Sequence, residues 1–238
     1  MGYGPFELLR IVTDEMAKKV VVIIAGSGIE DMEFLRRRIE AAAPEAVLCA
    51  DGGARYAHAL GLAPDLIIGD MDSLDDELLR HFEEKGVAVA RYPVRKDETD
   101  TQLALTQALA MNPEEILTFG AMGKRLDHTL ANLGLLMMGL EKGVPIKLLD
   151  EDCEVFVMAG AATVSGEKGQ TVSIFPWGGE ARGITLEGFE YPLEDATMTL
   201  ASPCGISNRL TAEAGQIRVD VGCLLVIHYL RTWYDSDR

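Results

Sequence analysis

The sequence is short of positive charge. Its 22 Lys and Arg face 38 Asp and Glu, a formal net charge of −16. That balance excludes a broad basic face for nonspecific nucleic-acid or anionic-membrane binding. It leaves phosphate ligands open, because a few local cations or a divalent metal ion invert the field of a single site. Cysteine is also scarce: Cys49, Cys153, Cys204 and Cys223 stand far apart with no C-x-x-C pair. A structural zinc site or a disulfide framework is not expected, and the thiols are read as reduced. No apolar run approaches the ~20 residues needed to span a bilayer. Glu7, Arg10, Asp14 and Glu15 interrupt the first stretch, so no signal peptide is read there. The expected location is cytoplasmic.

The common nucleotide and hydrolase signatures are missing too. "GSGIED" (26–31) places Asp31 where a dinucleotide fingerprint needs its third glycine. There is no G-x-x-x-x-G-K-[ST] loop and no G-x-S-x-G elbow. Any nucleotide must be held by a different set of loops.

What is present is a globular balance of 48% hydrophobic and 25% charged residues, enough for a sizeable core. From Val20, apolar runs alternate with amphipathic segments. "VVVIIAGS" (20–27), "AVLCADGG" (46–53), "DLIIGD" (65–70), "VAVARYP" (87–93), "EEILTFGA" (114–121) and "IKLLDED" (146–152) read as strands. Helical patterns lie between them. Continuous apolar strands separated by helices indicate a mainly parallel sheet covered on both faces, a Rossmann-like three-layer α/β domain over residues 20–150. Beyond it the texture becomes short β-like runs broken by Gly and Pro, which reads as an all-β sandwich over 151–238. Residues 1–19 are read as a helical N-terminal extension.

In a parallel sheet the loops after the strands share one edge, where ligands bind. Four such loops here carry Asp: "ADGGA" (50–54), "GDMDS" (69–73), "RKDETD" (95–100) and "GAMGKRLDH" (120–128). If the third strand runs on, D-M-D puts Asp70 and Asp72 on one side, as hard oxygen ligands for a cation. The other reading is a strand end before a helix capped by Ser73, with Asp75, Asp76 and Glu77 favourable in its first turn. The "KDETD" segment either caps a helix through Thr99 or Asp97 or brings a further carboxylate, Asp100, to the cation. Lys124 and Arg125 suit anionic oxygens. His128 is either a cap or buried residue or a site residue.

Together "ADGGA", "GDMDS", "KDETD" and "GKRLDHTLANL", followed by "SIFP", "GITLEGFEYPL" and "GISN", resemble the thiamine pyrophosphokinase family over roughly residues 20–228. The resemblance implies an α/β catalytic domain, a C-terminal β-sandwich that binds thiamine, and a homodimer. It implies transfer of the pyrophosphoryl group of ATP to the hydroxyl of thiamine, giving thiamine diphosphate and AMP, with Mg²⁺ held by Asp70, Asp72 and Asp100 and with Asp51 nearby. Lys96, Asp97, Thr99, Arg125, Asp127 and His128 would surround ATP and the substrate. Ser207 and Asn208 of "GISN" would reach thiamine. For the thiamine hydroxyl, Asp97 and Asp127 are both open as proton acceptor. A D-x-D glycosyltransferase or phosphatase, and a non-catalytic nucleotide or thiamine binder, are the competing readings.

Overall fold

The computed structural model describes residues 18–231. The helix expected within residues 1–19 falls outside the part described. Six parallel strands form the first layer: β1 (Val20–Ile24), β2 (Ala46–Ala50), β3 (Leu66–Gly69), β4 (Ala88–Arg91), β5 (Glu115–Phe119) and β6 (Ile146–Leu149). Their order in the sheet is β6-β5-β1-β2-β3-β4. All five residues of β1 are buried, as a continuous apolar run in the middle of a two-sided sheet requires.

Five helices cover the two faces. On one side lie α1 (Met32–Ala42), α2 (Ala54–Ala59) and α3 (Asp76–Glu84), which bury Leu35, Ile39, Leu79 and Phe82 against the sheet. On the other lie α4 (Asp100–Ala110) and α5 (Leu126–Lys142), which bury Ala104, Leu105, Ala108 and Leu136. Helix starts follow from side-chain oxygens that accept otherwise unpaired N–H groups. Asp31 accepts from Phe34 N at 2.8 Å and Thr99 from Gln102 N at 3.2 Å. For α3 the structure corrects the sequence reading. Asp75, not Ser73, is the cap, accepting from Leu78 N at 2.7 Å. Residues 71–74 are spent on a turn closed by Leu74 N donating to Met71 O, so the helix begins later.

The second part is all β. It comprises β7 (Cys153–Ser165), β8 (Thr171–Glu187), β9 (Leu193–Met198), β10 (Asn208–Arg209) and β11 (Ala214–Tyr229). β7 pairs antiparallel with β6, so the ladder passes from the α/β layer into the β-rich part without a break near Asp150. β7, β11 and β8 are long, and β11 shifts register against both neighbours between Val219 and Leu224. Residues on either side of that shift, Ile217 and Val219 with Leu224 and Val226, bury together with Ile174, Ile184 and Met198 in one cluster. The same ladder thus folds over on itself to form the sandwich. No helix among the described residues is long and apolar enough to cross a membrane.

Candidate active site

β1 lies between β5 and β2, while the chain leaves β1 toward β2 and returns later to β5. This reversal opens a crevice at the carboxyl ends of β1 and β5. Ala25 N donates to Phe119 O at 2.8 Å and Ser27 N to Gly120 O at 2.9 Å, so the two exit loops run side by side. Gly120 has φ of +64°, and a Cβ there would stand 2.5 Å from Ala25 O. Only glycine serves at that position. Around these loops lies a cavity of about 990 Å³. Its walls include the Gly26–Gly28 backbone, Asp51, Asp100, Gly123 and Arg125.

At its floor Asp51 and Asp100 meet a third carboxylate, Asp70, from behind the lining. Asp51, Asp70 and Asp100 each bring an oxygen to within 4.8 Å of the others. Their positions come from three chain ends: Asp51 follows β2, Asp70 follows β3, and Asp100 opens α4 behind its Thr99 cap. Gly69 leaves the room between them, since a Cβ there would sit 2.9 Å from Asp51 Cβ and 3.1 Å from Asp100 Cγ. Asp51 and Met71 both adopt positive φ, at 42° and 66°. Left-handed backbone at non-glycine residues is unfavourable and gathers where a site demands it. Oδ1 of Asp51 and Oδ1 of Asp100 are buried without a hydrogen-bond partner. Unpaired hard oxygens of this kind, close together at a cavity floor, fit a Mg²⁺ ion.

Lys96 is the cation of the cluster. Its Nζ lies 3.1 Å from Asp100 Oδ1, an ion-pair contact outside hydrogen-bond geometry, and 3.6 Å from Asp70 Oδ2. It donates to the carbonyl of Pro93 at 3.2 Å. Burial pulls the Lys96 ammonium down, but the close approach of Asp100 and the charge of Asp70 outweigh this and hold it above its ordinary value. Burial pushes the Asp100 carboxyl up; Lys96 opposes this, Asp70 and Asp51 add to it, and it remains raised.

The D-M-D spacing works differently from the extended-strand expectation. β3 ends at Gly69 and Met71 is left-handed, so the chain turns between the two carboxylates. Asp70 Oδ1 accepts from Asp72 N at 3.2 Å, the Asx-turn bond that such a turn favours. Asp72 is thereby exposed, and its Oδ1 accepts from the Ser73 hydroxyl at 3.1 Å. Asp51 takes the third place in the cluster.

Thr99, Arg125 and His128 line the cavity, whereas Lys96 and Asp97 do not. Arg125 and Asp127 form an exposed pair at 2.6 Å. The Arg125 hydrogen bond holds the Asp127 carboxyl down at about 2, which makes it a poor proton acceptor at neutral pH. Ser207 and Asn208 lie away from the cavity lining of their own chain. Asn208 is buried, with its Nδ2 donating to Tyr191 O at 2.7 Å and its Oδ1 accepting from Tyr191 N at 2.9 Å. Trp177 packs against the core beneath α4 and α5. Sequence reasoning missed Ser27, Gly28, Asn132 and the Asp150–Asp152 wall. Their only signal was position, at the ends of β1 and β6 and inside α5.

Comparison with known proteins agrees with this geometry. Residues 40–148 match the family model of the thiamin pyrophosphokinase catalytic domain, and residues 162–224 match that of the thiamin pyrophosphokinase vitamin B1 binding domain. Thiamine pyrophosphokinase from Bacillus subtilis (strain 168) is 34% identical over 169 residues, covering 70% of this chain and 79% of its own. Thiamine pyrophosphokinase 1 of Oryza sativa subsp. japonica is 27% identical over 202 residues, covering 73% and 75%. The crystal structure of the Bacillus subtilis enzyme superposes with a TM-score of 0.80 at 28% identity, over 90% of this chain and all (100%) of that one. The thiamin pyrophosphokinase structure from Geobacillus thermodenitrificans superposes at 0.77 with 27% identity, over 90% and 99%. With both domains matched in order and the carboxylate-floored cavity inside the first, the chain belongs to the thiamine pyrophosphokinase family.

Proposed function

We propose that the protein transfers the pyrophosphoryl group of ATP to the hydroxyl of thiamine, yielding thiamine diphosphate and AMP. The observation that carries this reading is the convergence of Asp51, Asp70 and Asp100 at a glycine-walled cavity that Asp51 and Asp100 line and Asp70 backs. In this reading residues 20–150 hold ATP and metal, and residues 151–238 bind thiamine and dimerise.

Asp51, Asp70 and Asp100 would hold Mg²⁺ through hard oxygen ligands, with Asp72 exposed beside them and its carboxylate accepting from the Ser73 hydroxyl. When bound, the metal ion offsets the negative charge of the phosphate oxygens. The backbone of Gly26–Gly28 and Gly120–Gly123 lets a polyphosphate approach closely. Thr99, Arg125 and His128 contact ATP from the walls, the Arg125 fork meeting anionic oxygens while Asp127 orients it. Asp127, already paired, does not take the proton of the thiamine hydroxyl. Asp97, exposed and outside the cavity lining, reaches that proton only if its loop closes. Ser207 lies in the β-rich part, next to an Asn208 whose amide is spent on Tyr191. Contact of this segment with thiamine therefore calls for a homodimer in which it faces the cavity of the other copy. The phosphoaspartate reading is disfavoured, because Asp70 is engaged on both oxygens, by Asp72 N and by Lys96.

The test is product analysis with thiamine, ATP and Mg²⁺. Equal amounts of AMP and thiamine diphosphate are expected. Release of ADP or inorganic phosphate would overturn pyrophosphoryl transfer, and binding without turnover would favour a pure binder.

A further inference from the structure

Lys96 does not line the cavity, and neither does Asp70. The ammonium lies behind the carboxylate cluster, with its side chain 11% exposed. Three oxygens surround it, Pro93 O, Asp100 Oδ1 and Asp70 Oδ2, at 3.2, 3.1 and 3.6 Å. One hydrogen bond, to Pro93 O, fixes the ammonium, and the two carboxylates face it as ion pairs, so its charge is directed at the cluster rather than into the cavity. The Pro93 bond ties it to the loop after β4, and Asp100, four residues on, is the first residue of α4.

From this geometry we propose that Lys96 is a fixed counter-cation of the carboxylate site, a positioning residue that keeps its affinity for a free divalent cation low. The inference rests on the reading of Asp51, Asp70 and Asp100 as the metal-holding set. A fixed positive charge against two of three ligands orients their oxygens and opposes a second cation by direct repulsion. A divalent ion then remains only when an anionic ligand, a nucleoside polyphosphate, arrives with it and adds both charge and oxygens. Binding of the two is coupled, and by linkage each must tighten the other by the same factor.

The experiment is Mn²⁺ binding to the full chain, followed by the paramagnetic resonance signal of the free ion, with and without a non-hydrolysable ATP analogue. The wild type is expected to bind Mn²⁺ alone at least tenfold more weakly than in the presence of the analogue. Lys96→Met is expected to bind Mn²⁺ alone at least tenfold more tightly than wild type, and its gain on adding the analogue shrinks. Lys96→Arg keeps the wild-type pattern. A purely structural lysine would give the opposite sign, since a loosened cluster binds metal more weakly. Unchanged or weaker Mn²⁺ binding by Lys96→Met overturns the proposal. Should that variant fail to fold, Lys96→Gln carries the same expectation, and absence of coupling in the wild type overturns the proposal without any variant. The metal-site reading fails separately: Asp51→Asn and Asp70→Asn would then leave Mn²⁺ binding with the analogue unaltered.

Discussion

Asp51→Asn should make the protein more stable while removing its activity. Asp51 has a buried Oδ1 without a hydrogen-bond partner and no ion pair among the described residues to offset it, whereas Asp70 and Asp100 share Lys96. Its ligand oxygen lies within 4.8 Å of those of both other carboxylates. At that distance two like charges repel by about 3.5 kcal/mol for an effective dielectric near 20. Two such pairs act on Asp51, and partial exposure and counterions reduce their sum. A net gain of about 2 kcal/mol remains as the expected effect of the neutral isostere. For a chain of this size that corresponds to a rise in Tm of about 4–8 °C. The assay is thermal unfolding in EDTA, beside the AMP-release rate at saturating Mg²⁺. Adding Mg²⁺ with an ATP analogue should raise the Tm of wild type more than that of the variant, which reverses their order or narrows the gap. An Asp51→Asn protein that melts at or below the wild-type temperature in EDTA would refute the reasoning, because the cluster would then hold no electrostatic strain. Loss of stability at a site that activity requires is a common arrangement, and here its origin is one unpaired carboxylate.

Two further outcomes are expected. Gly69→Ala drives a methyl group between Asp51 and Asp100, so it should lower turnover at least tenfold and weaken Mn²⁺ binding while far-ultraviolet circular dichroism stays that of the wild type. Unchanged Mn²⁺ affinity would show that the cluster has slack. Glu154, outside the cavity lining, supplies a pH dependence: burial pushes its carboxyl up, but pairing with His228, Lys147 and Arg38 outweighs this and leaves it below its ordinary value. A depressed carboxyl stabilises the fold above its unfolded pKa, and that contribution disappears as pH falls through the folded value. The urea midpoint of wild type should therefore drop more steeply below about pH 4.5 than that of Glu154→Gln, and parallel curves would remove the pairing from the account.

Much of the architecture is written in local patterns. Apolar runs of four or five residues between amphipathic segments specify the six parallel strands, because a strand buried on both faces has no polar side to show. Gly- and Pro-punctuated runs after Asp150 specify the change to β structure. The loops that carry chemistry were legible for the same reason, since parallel strands deliver all their carboxyl ends to one edge. Asp70, Asp100, Arg125 and the glycines around them could be found by position along the chain alone.

Which oxygens meet was not legible. D-M-D looks like a ligand pair, yet a left-handed Met71 turns Asp72 outward and makes its N–H a donor to Asp70. Backbone sign at one residue reverses the direction of the next side chain, and no local pattern around Met71 announces it. The place left by Asp72 goes to Asp51, which is 19 residues away from Asp70 in sequence and adjacent only because β2 and β3 pair in register. Lys96 reads in sequence as one more cation for phosphate. Its burial behind Asp70 and Asp100 depends on where the loop after β4 meets the start of α4. The sequence by itself determined the sheet and the edge where its loops gather, because those follow from period and composition, and its motifs carried the resemblance to the family. Only the tertiary structure decided which three carboxylates come together and which lysine stands against them, because those contacts join residues that the chain keeps apart.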